Sequence, residues 1–91
     1  MTLFTRNLNK TTSEFEVKRL VTIEGFTFFL ARNARGSWSW YEKQTGSIAC
    51  NVCLYREAKK ELTNQVDLIG VERFRKAIDK AIKKYGIVNP E

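Results

Sequence analysis

Phe26-Thr27-Phe28-Phe29-Leu30 and, after a short turn, Trp38-Ser39-Trp40-Tyr41 are the stretches whose reading decides the fold. Phe26, Phe28 and Leu30 recur at every second position, and Trp38 and Trp40 share one side of the next segment opposite Ser39 and Tyr41. That period of two marks half-buried strands. Asn33-Ala34-Arg35-Gly36 between them is turn chemistry, with Asn and Gly where positive φ is tolerated.

Working outward, Phe15, Val17, Val21 and Ile23 alternate with Glu16, Lys18, Thr22 and Glu24 in a preceding strand. The alternation is interrupted by Arg19 on the apolar side and Leu20 on the polar side. Glu24-Gly25 closes that strand onto the next with a tight turn. Downstream, Gln44-Thr45-Gly46-Ser47 turns the chain into a short strand from Ile48 to Val52. Beyond Cys53 the period becomes helical: Leu54, Ala58, Leu62, Val66 and Ile69 fall at spacings of three and four. Gly70 breaks that helix or opens the next. A second stripe follows through Val71, Phe74, Ala77, Ile78, Ala81, Ile82 and Tyr85, with Gly86 and Pro90 as stop signals. Strands followed by helices, with no βαβ alternation, predict an α+β fold: an antiparallel β-meander of three to four strands, then two C-terminal helices packed on one sheet face. Residues 1–13, with Leu3, Phe4 and Leu8 as anchors, read as a flexible N-terminal arm. Residues 14–91 read as a single α+β domain.

The chain has 91 residues, 43% apolar and 29% charged, the balance of a folded globular protein. No apolar run approaches the ~20 residues that cross a bilayer, and Met1 to Lys10 has no apolar core of a secretory signal. The expected compartment is therefore the cytoplasm, with no membrane partner and with Cys50 and Cys53 reduced. Sixteen Lys and Arg against ten Asp and Glu give a net charge of +6, which draws polyanions and acidic protein surfaces.

Catalytic chemistry is hard to find in these residues. There is no histidine, hence no ready general base at neutral pH. The glycines form no phosphate-cradling loop, and no serine sits in a nucleophile elbow. Cys50-Asn51-Val52-Cys53 has the spacing of a redox pair or half a zinc knuckle, but the βαβ scaffold of the first and the remaining ligands of the second are missing. Two small hydrophobic residues at the end of a core strand is the simpler reading. The expectation is a binding protein, not an enzyme, with no cofactor and no metal.

Two surfaces are candidates for binding. On the last helix, Arg73, Lys76, Lys80 and Lys83 recur at steps of three and four away from Phe74, Ile78 and Ile82, extended by Arg75 and Lys84. Such a stripe tracks phosphates, although Glu72 before Lys76 and Asp79 after Arg75 also suit an ordinary solvated helix. The other is the sheet face opposite the helices. If Phe28, Trp38 and Trp40 point inward, Phe29 and Tyr41 point outward beside Lys18, Thr27, Ser39 and Lys43, with Arg32 and Arg35 at the hairpin end. Unless a second copy or the N-terminal arm covers it, this face offers rings and cations to nucleic acid or acidic protein.

Trp38-Ser39-Trp40, Thr45-Gly46-Ser47-Ile48, Arg56-Glu57-Ala58 and Gly70-Val71-Glu72-Arg73-Phe74 give the stretch from Val21 to Gly86 a resemblance to small proteins encoded by phages and prophages of Gram-positive bacteria. Leu54-Tyr55 departs from that pattern, in which a Thr or Ser caps the helix. Members of the group include anti-CRISPR proteins that bind a CRISPR effector nuclease. The resemblance implies a phage-encoded inhibitor of a host defence nucleoprotein and assigns no functional residue. A basic inhibitor cannot mimic DNA, so it would meet acidic protein surface, guide RNA or target DNA. Two other readings remain open: a sequence-tolerant DNA-binding module that inserts a three-stranded sheet into the major groove, and a small homodimeric assembly protein. The expected partner is accordingly a host nucleoprotein such as a CRISPR effector, nucleic acid directly, or a second copy.

Overall fold

The structure is a computed structural model and describes residues 1–7 and 11–90. Its α+β architecture has three layers. A four-stranded antiparallel sheet lies in the middle, in the order β3 (Arg19–Ile23), β4 (Phe26–Arg32), β5 (Trp38–Glu42), β6 (Ile48–Asn51). Two helices, α1 (Ala58–Ile69) and α2 (Val71–Tyr85), cover one face. A hairpin of β1 (Thr2–Arg6) and β2 (Thr12–Glu16) covers part of the other.

β3 and β4 meet in a two-residue turn in which Glu24 and Gly25 both have positive φ (53° and 85°), the twist that suits a tight hairpin. In the next turn Gly36 takes positive φ, whereas Asn33 acts through its side chain: Oδ1 accepts the N–H groups of Arg35 and Ser37 at 2.9 and 3.1 Å. Between β5 and β6 the register slips at Trp40/Tyr41, leaving Ala49 as the extra residue of a bulge.

Phe28, Leu30 and Trp40 of the sheet pack with Ala58, Leu62, Val66, Phe74 and Ile78 of the helices. Phe74 sets its ring edge-on to Phe26 at 4.8 Å between centroids. The Trp40 indole N–H, fully buried, donates to the Ala58 carbonyl at 2.8 Å, so the largest core side chain also fixes where α1 begins. Ala77, expected on the apolar stripe, faces solvent. Gly70 serves both helices: its N–H donates to the Val66 carbonyl, and its own carbonyl accepts from Phe74.

The predicted strand from Phe15 to Ile23 is two strands in two sheets. The break falls where the alternation changed phase. Lys18 N–H donates to the Leu30 carbonyl while Arg19 also pairs with Leu30, so two residues oppose one and the chain turns from the hairpin into the main sheet. The N-terminal segment, expected as an arm, contributes strand β1, paired with β2 in the register Leu3↔Phe15 and Thr5↔Ser13. Leu8, read as an anchor of that arm, and Lys10 lie outside the described residues, as does Glu91.

A clasp fastens β1 to the C-terminal tail. The buried Asn89 carboxamide accepts from Phe4 N–H and donates to Phe4 C=O, both at 2.8 Å, as a neighbouring strand would, and donates also to the Lys43 carbonyl. Val88 N–H donates to Gln44 C=O, and Arg6 N–H to Gly46 C=O. The turn beneath is held by the buried Glu42 carboxylate, which accepts from the N–H groups of Gln44 and Thr45 and from the Thr45 hydroxyl. Gly46 sits at the closest approach: a Cβ there would stand 2.9 Å from Arg6 N, Phe4 O and Val88 Cγ2, at φ +70°.

Gly46→Ala is therefore expected to lose about 2–4 kcal/mol from combined backbone strain and overpacking. Gly36→Ala, with φ +83° but open space around it, should lose only about 1–2 kcal/mol. Denaturant unfolding of the two variants measures the difference.

Candidate functional site

The sheet alternation places the rings on the sides expected, with Phe28 and Trp40 toward the helices and Phe29 and Tyr41 away from them. The second face is nevertheless not an open platform. Phe29 and Tyr41 are 0% and 7% exposed, covered by Leu3, Phe15 and Val17 of the hairpin. Two rings lie nearly parallel to Tyr41, Phe29 at 5.4 Å and Phe15 at 6.1 Å. Burial pushes its phenol above the ordinary range. Phe29 and Tyr41 are thus interlayer core and cannot be exposed contacts. Phe15 covers them; Phe4 remains exposed.

The cations assigned to that face are dispersed. Lys43 lies just past β5, half-buried, beside a cavity of about 240 Å³ shared with Phe26, Glu42, Ile87 and Asn89. Arg35 is exposed on the 33–36 turn and lines a cleft of about 540 Å³ with Arg6, Phe15, Tyr41, Ile48 and Asn51. Lys18 and Arg32 do come together, with Val17 and Trp38, in a surface groove of about 320 Å³.

At that groove the structure adds a constellation that alternation alone did not reveal. The Arg32 guanidinium stands over the Trp38 ring at 5.0 Å, and Trp38 meets Tyr55 at 5.0 Å between centroids. Tyr55 and its neighbour Leu54 are exposed. Arg, Trp and Tyr are the side chains that most often dominate protein interfaces, and a set already in mutual contact loses little freedom on binding. The signal available in the sequence was Tyr55, a large ring where a small capping residue was expected.

Neither helical start carries a side-chain cap; the segment ahead of them is tied back to α1 instead. Glu61 Oε1 and Oε2 accept the N–H groups of Cys53 and Leu54 at 2.9 and 3.0 Å, and these bonds hold its carboxyl below the usual range. Cys53 is exposed; Cys50 is half-buried, its thiol pushed up by burial, by Glu61 and by Cys53. An attacking thiolate needs the opposite shift. Among the described residues no three His, Cys, Asp or Glu side chains are grouped to hold a metal.

α2 presents its cations as the sequence indicated. Arg73, Lys76, Lys80 and Lys83 are exposed and, at about 100° per residue, centre directly opposite Phe74 and Ile78. Arg75 lies toward the sheet, 5.0 Å from the Phe26 ring. Glu72 and Asp79 stand along one flank of the stripe. Among the described residues no carboxylate comes within 4.0 Å of these cations; the ion pair that forms is Met1 N-terminus to Glu16.

Because Glu61 titrates below its unfolded value, its stabilising bonds are present above the ordinary carboxylate range and are lost as pH falls through the lowered value. The melting temperature of the natural chain should exceed that of Glu61→Gln at neutral pH, and the gap should close below about pH 4. Thermal melts across pH measure this; a constant gap would show that ionisation of Glu61 plays no part. Comparison of the chain with known protein families, with curated proteins and with solved structures finds no match.

Proposed function

We propose that this chain is a non-catalytic binding protein that docks on a nucleoprotein and lays α2 along nucleic-acid phosphates. The observation that carries this reading is the α2 stripe: Arg73, Lys76, Lys80 and Lys83 on one exposed face, directly away from the core, with no carboxylate of the described residues in ion-pair reach. At ~1.5 Å per residue the stripe runs ~15 Å, enough to follow the backbone of one strand over several phosphates. Lys83 also benefits from the helix C-terminus, but Arg73 and Lys76 near the positive end do not, so the dipole does not account for the stripe. The Arg32, Trp38 and Tyr55 cluster supplies a surface suited to the protein part of the same target.

The non-catalytic part of the proposal is supported by the use of the polar groups. Glu42 and Glu61 are bound to backbone N–H groups, and the Cys50 thiol is held protonated. The resemblance to small phage proteins extends the proposal to an inhibitor of a host defence nucleoprotein such as a CRISPR effector. On such a particle a cationic helix meets guide RNA or target DNA. Insertion of the sheet into a DNA groove, and dimerisation through the aromatic face, are both disfavoured because β1 and β2 occupy that face.

Binding to labelled duplex DNA and single-stranded RNA across a salt series tests the reading. Four phosphate contacts predict a slope of log affinity on log salt of about −3.6 on duplex. Lys76→Ala with Lys80→Ala should make the slope shallower by about two, while Lys59→Ala with Lys60→Ala on α1 should leave it unchanged. Binding that ignores salt, or the α2 variants, would refute the assignment.

A further inference from the structure

β3 is an edge strand of the four-stranded sheet. Among the described residues its hydrogen-bonded neighbour in that sheet is β4 alone. The two-residue turn at Glu24-Gly25 makes Ile23 and Phe26 a hydrogen-bonded pair, so alternation turns the backbone groups of Val21 and Ile23 toward β4. Those of Leu20 and Thr22 then point to the outer edge. Leu20 is 44% exposed there, and Thr22 is exposed beside it. A row of outward N–H and C=O groups is a template for another strand. Proteins commonly blunt such edges with proline or with an isolated charge, but the one proline here is Pro90.

The charges at the two ends of the edge are of opposite sign, exposed Lys18 and Arg19 at one end and exposed Glu24 at the other. We propose that two copies of this chain associate through β3, antiparallel about Val21, to form one continuous eight-stranded sheet. In that register Leu20 and Thr22 of each copy exchange backbone hydrogen bonds with Thr22 and Leu20 of the other. Val21 faces Val21 on the two-fold axis, and Lys18 and Glu24, which flank the strand, approach each other at both ends. A slip of one residue would set outward backbone groups against inward ones. A slip of two toward the N-terminus sets Lys18 against Thr22 and leaves Glu24 without its partner, and one toward the C-terminus sets Leu20 against Glu24. Only the register centred on Val21 satisfies the backbone and both charge pairs, and this is what favours a second copy over an unrelated strand.

A two-fold axis perpendicular to the sheet leaves both helix layers on the same side. Phe74 carries α2 onto Phe26 and Phe28 of β4, one strand from the dyad, so the two cationic helices would flank it together. The association itself rests on the edge and stands whatever α2 binds.

Sedimentation of the natural chain over a concentration series tests the proposal, beside Lys18→Glu and the charge-swapped double variant Lys18→Glu with Glu24→Lys. Both positions are exposed, and circular dichroism would verify the fold of each variant. A reversible species of twice the monomer mass is expected. Lys18→Glu places like charges opposite each other at both ends and should weaken it about tenfold, and the double variant should restore it. A natural chain that remains monomeric at the highest concentration would overturn the proposal. So would a dimer indifferent to Lys18→Glu, or one that the charge swap fails to rescue, since either would place the interface elsewhere.

Discussion

A strand that is apolar on both faces has to be covered twice, and β4 is such a strand. Phe28 and Leu30 point one way, Phe29 and Ala31 the other, and all four are fully buried. In a chain of this size a single layer of helices cannot bury both sets, because it reaches only one face of the sheet. The hairpin of β1 and β2 supplies the second layer, with Phe15 stacked on Tyr41 and Leu3 and Val17 beside it. The rest of the architecture serves to keep that layer in place. Asn89 stands in for a strand along Phe4, Gly46 lets β1 approach the β5–β6 turn, and Arg6 donates to the Tyr85 carbonyl at the end of α2.

Covering the second face relocates recognition. The rings that sequence alternation offers to a partner are held between layers, where they contribute cohesion and no contact. In solvent stand a helix with cations centred opposite its buried stripe, and a rim where Arg32, Trp38 and Tyr55 are already in contact. A sheet-face binder would present stacking surfaces to bases. This molecule presents a charged ridge and an aromatic edge, the two features on which the proposed docking rests.

Much of this was legible in the residues themselves. The period-two runs gave β4 and β5 and the correct side for each ring; spacings of three and four gave α1, α2 and the exposure of Arg73, Lys76, Lys80 and Lys83. Even the corner between β2 and β3 was visible as the phase error at Arg19 and Leu20, although it was read as an interruption of one strand. The covering hairpin was not legible for a physical reason: alternation tells which way a side chain points but not what lies there. Thr2–Arg6 is short and largely polar, and its anchors are remote, with Asn89 meeting Phe4 across 85 positions of sequence. The tie from Glu61 back to Leu54, seven residues earlier, is a similar case, because a carboxylate inside a helix ordinarily reads as surface.

The central claim is that β1 and β2 close the second face of the sheet. Nuclear Overhauser contacts between the ring protons of Phe15 and Tyr41, recorded together with amide exchange over Thr2–Arg6, measure this most directly. The account predicts strong ring-to-ring contacts and a slowly exchanging Phe4 amide held by Asn89. Absence of those contacts, with Phe4 exchanging as fast as an open chain, would contradict it.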